Sequence, residues 1–421
     1  MNNINGREIE LIKNCRREVK GREGFGKYCE AFLLRDLFMF FSVGLGLGFN
    51  EKNLRFEGVI NLIKKVAGLA VLMSLVMVFS LEGFAQPVEA ETTRVGIVFS
   101  TGGLGDMSFN DMAYEGLQRA SEDFDVEFDY IEPDDVADFD PSLRRFAREG
   151  YDLIIAVGFQ QAEDLERIAP IYPDHNFAIV DVIYEPPIEN VRGMLFADHQ
   201  GSFLTGALAA LVSENDNVGF IGGVNSPLIN KFEGGFVQGV EFIAEETGRD
   251  IEIQRSYADS FGDPGRGREV ALGFIDDGAD VIYHAAGGTG EGVFTAAEEE
   301  GIYAIGVDAN QNHISPGRII ASMLKRVDQA VYSTVEDFVQ GDFEGGVNVN
   351  YTLEDQGVGI TPLRAEVDPI IAEQLSEEEI EQIRQMKEDV TAEHAERIEE
   401  IIQMIIDGEI EIEDWSETGR Q

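Results

Sequence analysis

From residue 94 onward the chain alternates short apolar, β-branched runs with segments whose apolar positions repeat at helical spacing. Strands are expected over 95–99, 126–131, 153–157, 177–182, 218–221, 281–284, 303–307 and 319–322. Between them, 111–122 puts Met112, Leu117 and Ala120 on one helical face, and 201–211 carries Phe203, Leu204, Ala207, Leu208 and Leu211. Strands alternating with helices imply parallel sheets covered on both faces, an α/β fold. So many strands exceed one compact sheet, and two doubly wound lobes joined by hinge crossovers fit better. The first crossover is expected near 197–200 and later ones near 320–325 and 345–352. The first lobe is placed over 92–197, completed by about 350–421, and the second over 198–349. In the tail, Ser376-Glu377-Glu378-Glu379 starts a capped helix, and Ile380, Ile383, Met386, Ile398, Ile401, Ile402 and Ile405 continue an apolar stripe. A packed helix pair is expected there.

The front of the chain follows another pattern. Lys64 and Lys65 precede an apolar run over 66–79, followed by Gly83-Phe84-Ala85-Gln86. This is the charged, apolar and small-residue layout of a secretory signal, too short for a membrane span of about 20 residues. A signal peptide is expected over 59–85 with cleavage after Ala85, a retained signal anchor being the alternative. Residues 1–58 read as a non-native or over-extended N-terminal extension. In Leu81-Glu82-Gly83-Phe84 a Phe stands where a lipoprotein signal has its lipidated Cys, so no lipid anchor is expected.

Composition sharpens this picture. The 421 residues are 44% apolar and carry a net charge of −47. Residues 1–65 hold 12 Lys/Arg against 8 Asp/Glu, leaving 20 against 71 beyond them. Such an acidic surface repels nucleic acid and anionic lipid, and suits a solvated coat for high salt. Both cysteines, Cys15 and Cys29, lie in the extension, which leaves the mature chain without disulfides, thiolate-bound metal or a thiol nucleophile. The five histidines lack ligand spacing, and no Gly-x-Ser-x-Gly elbow is present. No enzyme is expected, and no cofactor or metal.

The candidate chemistry centres on Gly102-Gly103-Leu104-Gly105-Asp106-Met107-Ser108-Phe109-Asn110-Asp111, between the first strand and the first helix. A glycine turn before a helix N-terminus lets backbone approach a ligand. Here it offers the aromatic face of Phe109 and the polar tips of Asp106 and Asn110.

Further motifs follow in order: Gly201-Ser202-Phe203-Leu204-Thr205-Gly206, Val218-Gly219-Phe220-Ile221-Gly222-Gly223, Phe232-Glu233-Gly234-Gly235-Phe236, His284-Ala285-Ala286-Gly287-Gly288-Thr289-Gly290, Ile305-Gly306-Val307-Asp308 and Leu324-Lys325-Arg326-Val327-Asp328-Gln329-Ala330. In this order and spacing the chain resembles the basic membrane protein family, the substrate-binding proteins of ABC transporters that include the purine nucleoside receptors. The resemblance implies the type I periplasmic-binding-protein fold, closing on a nucleoside, with a membrane permease as partner, an extracytoplasmic location and a monomer. It implies a base sandwiched by Phe109 and Phe261, with Tyr257 competing for the second place. It further implies ribose contacts from Asp308 and Lys325, a close backbone approach at Gly287, and Asp181 on the base edge. Asn110 does similar work or caps its helix. Against these stand plainer readings: each Phe plugging the core at a helix start, and Asp308 with Lys325 forming an ion pair across the cleft. Many family members carry an Asp after the first strand where this chain has Ser100, which puts base preference in doubt and leaves riboflavin as an alternative ligand. A surface sensor of the same fold is the alternative function.

Overall fold

The computed structural model describes residues 92–418, within one compact unit from Glu91 to Gln421. The expected extension and signal peptide, and both cysteines, lie outside the described residues. Among the described residues twelve strands form two sheets, most of them joined through crossing helices, with Asn176–Val180 followed directly by Val191–Phe196 and Tyr303–Gly306 by Ile319–Lys325.

The first sheet begins with β1 (Arg94–Val98), whose Val95, Ile97 and Val98 are shielded from solvent. Such continuous burial is what a parallel strand covered on both faces requires. Helix α1 (Phe109–Phe124) leads to β2 (Glu127–Ile131), α2 (Phe139–Glu149) to β3 (Leu153–Ala156), and α3 (Ala162–Ile168) to β4 (Asn176–Val180) and β5 (Val191–Phe196). Strand order is β2-β1-β3-β4-β5, all parallel, with β11 (Val347–Tyr351) added parallel beyond β5.

The second sheet repeats the plan. Helix α4 (Asp198–Val212) enters it, followed by β6 (Asn217–Gly222), α5 (Pro227–Thr247), β7 (Glu252–Tyr257), α6 (Pro264–Asp276), β8 (Val281–Ala285), α7 (Gly290–Glu300), β9 (Tyr303–Gly306) and β10 (Ile319–Lys325). The order is β7-β6-β8-β9-β10, parallel, with β12 (Val358–Ile360) antiparallel on β10. Helices α4 and α5 touch backbone to backbone: a Cβ on Gly206 would lie 2.0 Å from the Phe236 carbonyl oxygen, and one on Gly239 would lie 2.1 Å from that of Phe203.

The chain passes between sheets three times, at Ala197, at Arg326 and over 352–357. The three links lie together, because Ala197 N donates to Tyr351 O at 2.9 Å and Arg326 N to Gly357 O at 2.9 Å. This corrects the expected lobe boundaries. Helix α8 (Val327–Gln340) packs on α1, where Arg119 pairs with Asp328 at 2.9 Å, and with β11 it completes the first lobe. Residues 352–418 belong instead to the second lobe, since β12 pairs with β10 and the tail continues on the helices of that lobe.

That tail contains α9 (Pro369–Ala372), α10 (Glu377–Met386), α11 (Ala395–Ile406) and α12 (Trp415–Thr418). The capping box at Ser376 and Glu379 is formed, and Ile383, Met386, Ile398, Ile401 and Ile405 are buried, as the apolar stripe predicts. Trp415 lies against Gly234 of α5, anchoring the end of the tail. Among the described residues no helix is long and apolar enough to cross a membrane.

Candidate functional site

In each sheet the strand order reverses direction between the first strand and its two neighbours. The loops leaving the carboxyl ends of strands around that point form a natural crevice. Here the two crevices face each other across a pocket of about 590 Å³, open solvent included.

The loop after β1 is built by its own polar side chains. The Asp106 carboxylate accepts from the backbone N–H groups of Ser108 (2.9 Å), Asn110 (2.9 Å) and Asp111 (3.2 Å), so it caps α1 from three residues upstream of Phe109. Asp111 accepts from Gly105 N and Met107 N at 2.8 and 2.9 Å. Asn110 does not cap its helix. Its Oδ1 accepts from Ser100 N at 3.0 Å and its Nδ2 donates to Gly103 O at 3.0 Å, tying the two ends of the glycine turn. Phe109 is thereby fixed at the first helical position with its ring half-buried at the pocket wall.

Phe261 comes from the opposite lobe, in the loop after β7. Its ring covers Gly223, where a Cβ would lie 2.2 Å away, and meets the Phe159 ring edge-on at 6.5 Å. Tyr257, its competitor, turns its hydroxyl to Asn230 at 3.0 Å and to Glu233, and does not line the pocket.

The polar end is densely charged. Lys325, the last residue of β10, is 1% exposed and donates to both Asp181 oxygens at 2.8 Å, with Asp198 at 3.1 Å. The Phe109, Phe196 and Phe232 rings surround its ammonium at 5.4, 4.9 and 5.2 Å. Asp308 instead receives the Ser108 hydroxyl, so the plainer alternative of an Asp308–Lys325 ion pair is not what forms, and Lys325 pairs with Asp181. Both aspartates follow a strand in left-handed backbone geometry, Asp181 at φ 66° and Asp308 at φ 65°.

Three shielded carboxyl groups, Asp181, Asp198 and Asp308, thus surround the fully buried Lys325, with Lys231 3.9 Å from Asp198 and the shielded Asp106 close by. Burial pushes the Asp308 carboxyl up to about 7, against the pull of Lys325 and the Ser108 hydroxyl. Burial likewise raises Asp106 to about 6 and lifts Asp181 above the usual carboxylate range, the latter against Lys325. Burial alone would discharge Lys325, but Asp181, Asp198 and Asp308 hold its ammonium charged.

All nine residues singled out from the sequence, Ser100, Asp106, Phe109, Asn110, Asp181, Phe261, Gly287, Asp308 and Lys325, line this one pocket. Gly287 adopts φ 53°, and a Cβ there would lie 3.2 Å from the Phe261 carbonyl oxygen. The sequence reading missed the loop Gly158-Phe159-Gln160 after β3, Thr101, and Leu228, Ile229 and Phe232 at the start of α5. The signal was available: each follows an expected strand at the point where sheet order reverses. The lobes also meet directly, through Ser108 on Asp308, Lys325 on Asp181, and Gln311 Nε2 donating to Met107 O at 3.0 Å.

Comparison with known proteins agrees with this architecture. A family model described as "ABC transporter substrate-binding protein PnrA-like" matches residues 93–396. An uncharacterized lipoprotein of Pyrococcus abyssi is 35% identical over 287 residues, 66% of this chain and 71% of that protein. The ABC transporter nucleoside-binding protein BmpA of Lactococcus lactis is 30% identical over 302 residues, 66% of this chain and 85% of its own length. Among solved structures, an ABC transporter solute-binding protein from Aeropyrum pernix superposes with a TM-score of 0.71 at 34% identity, covering 76% of this chain and 92% of that one.

Proposed function

The chain belongs to the PnrA-like family of ABC-transporter substrate-binding proteins, and from that membership and its pocket we propose that it captures a nucleoside, a purine nucleoside first of all, and delivers it to a membrane permease. Proteins of this family bind a substrate and do not transform it. The observation that carries the reading is the pairing, in one pocket, of two aromatic side chains from opposite lobes with a buried, charged end at Asp308 and Lys325. Phe109 and Phe261 supply faces for a base, and stacking contributes about 1–3 kcal/mol per base. Asp308 accepts from the vicinal ribose hydroxyls, Lys325 donates to them, and Gly287 lets backbone come close. Ser100, Asp106, Asn110 and Asp181 complete the wall. The excess of carboxyl groups over ammonium favours a neutral ligand over a phosphorylated one.

In this reading the protein works outside the cytoplasm as a monomer. It is exported by a Sec-type signal in this reading. Closure around the ligand lets the permease distinguish loaded from empty receptor.

A thermal-shift screen of the purified protein in high salt against adenosine, guanosine, inosine, uridine, cytidine, free bases, ribose and riboflavin tests it. At 100 times the dissociation constant a true ligand adds about 2.7 kcal/mol of stability. Stabilisation by purine nucleosides but not by ribose or free base is expected. Stabilisation by riboflavin alone, or by none of these compounds, would sink the nucleoside assignment.

A further inference from the structure

The acidic groups bordering the pocket have hydrogen-bond partners, but one amide is left half-used. Asp106 is taken up by three backbone N–H groups, Asp181 by Lys325 and Asp308 by Ser108. The loop Gly158-Phe159-Gln160 touches both aromatic walls. A Cβ on Gly158 would lie 3.3 Å from the Phe109 ring, and the Phe159 ring meets that of Phe261 at 6.5 Å. The loop therefore closes the end of the slot between the rings, with half-buried Gln160 on its rim.

The orientation of that amide is set from one side. Thr101 Oγ1 donates to Gln160 Oε1 at 2.9 Å, so the oxygen turns toward the β1 loop, and the Nε2 group has no partner among the described residues. The neighbouring polar groups add no free carboxylate. Ser100 Oγ donates to Thr101 O at 3.3 Å, and Asn110 has its oxygen on Ser100 N and one amide hydrogen on Gly103 O. What Gln160 itself offers a ligand is amide N–H, with no free carboxylate beside it.

We propose that Gln160 determines base specificity, its Nε2 donating to a carbonyl oxygen on the edge of the bound base and so selecting 6-oxopurine nucleosides over 6-aminopurine ones. This rests on the nucleoside reading above. A 6-oxo group accepts from the amide, whereas a 6-amino group sets donor against donor and forfeits that hydrogen bond. Ser100, whose hydroxyl hydrogen goes to Thr101 O, leaves an exocyclic amine only a neutral hydroxyl oxygen, a weaker acceptor than a carboxylate.

The test is calorimetric titration of inosine and adenosine into the wild type, Gln160→Glu and Thr101→Val. The wild type is expected to prefer inosine by about tenfold, the worth of one hydrogen bond. Gln160→Glu, which keeps the Thr101 contact but presents an acceptor, is expected to reverse the preference. Thr101→Val, which frees the amide to turn over, is expected to bring the ratio toward unity while inosine still binds. Equal wild-type affinities, or an unchanged ratio in Gln160→Glu, would overturn the role of Gln160 and leave the nucleoside reading standing. Failure of a folded wild type to bind either nucleoside would overturn both.

Discussion

Asp308 is the residue whose protonation most directly connects the pocket to the stability of the chain. Its carboxyl is faced by the Ser108 hydroxyl and the Asp106 carboxyl from the β1 loop, by Lys325 from β10 and by Asp181 beyond β4. The folded group titrates at about 7 against an ordinary 3.8, so folding takes up a proton between those values. Its contribution to stability is full below pH 4 and is lost as pH rises through 7, on the order of 4 kcal/mol when complete. Without ligand, thermal stability is expected to fall from pH 5.5 to 8, and Asp308→Asn is expected to flatten that fall. Nucleoside affinity changes in the opposite sense, because ribose hydroxyls donate to the ionised carboxylate and binding expels its proton. Titrations in buffers of different protonation enthalpy would read that proton directly. Equal slopes of melting temperature against pH in wild type and variant would remove Asp308 as the titrating group.

At the scale of elements, one side chain outside a helix decides where that helix begins. Asp106 satisfies three N–H groups at the start of α1, a task that Ser108, at the N-cap position, leaves undone. Asp106→Ala is expected to cost about 0.5–2 kcal/mol, as loss of a cap does. It also frees Phe109, so a larger loss in nucleoside affinity than in stability is expected from paired melting and titration experiments. Which elements could be read from the sequence follows from burial. Strands β1, β3, β4 and β8 are near-continuous apolar runs because helices cover both their faces, and they were legible. Strands β7 and β11 lie at or near sheet edges and read Glu-Ile-Gln-Arg-Ser-Tyr and Val-Asn-Val-Asn-Tyr, half polar, so they did not stand out. Strand β5 was hidden by Arg192, a charge that looks foreign to a buried strand. Its guanidinium is neutralised by Asp337 at 2.6 Å and stacks on Phe343 at 4.4 Å, partners far away in sequence. The nine pocket residues were named through the family resemblance that motif order carried, Ser100, Asp181 and Phe261 lying outside the motifs themselves. Gln160 was not, although its place after an expected strand marked its loop; that it sits beside two aromatic rings is visible only in the fold.

For the whole molecule, two lobes joined by three adjacent links must choose how often they close. Closure is assisted by bonds between the lobes that do not require the ligand, and the Gln311 bond is the most separable of them. Gln311 does not line the pocket. Its Oε1 accepts from Val307 N at 2.8 Å within its own lobe, while its Nε2 reaches Met107 O in the other. Gln311→Glu keeps the first contact and, ionised, replaces the second with an acceptor facing a carbonyl. Losing this bond shifts the lobes toward opening by about 1 kcal/mol. Apparent affinity falls with the fraction of receptor able to close, by up to about tenfold. Since Gln311 touches no ligand, the loss should be the same for inosine and adenosine, unlike the change of ratio expected at Gln160. Small-angle scattering at pH 8 should show a larger radius of gyration for the ligand-free variant, shrinking to the wild-type value with saturating nucleoside. A variant that matches the wild type in both radius and affinity would mean that this bond does not bias closure. The acidic surface acts on the same equilibrium, since like charges on facing lobes repel and salt screens them over about 10 Å at 0.1 M. Raising salt should therefore bring the ligand-free variant part of the way back toward the wild-type radius.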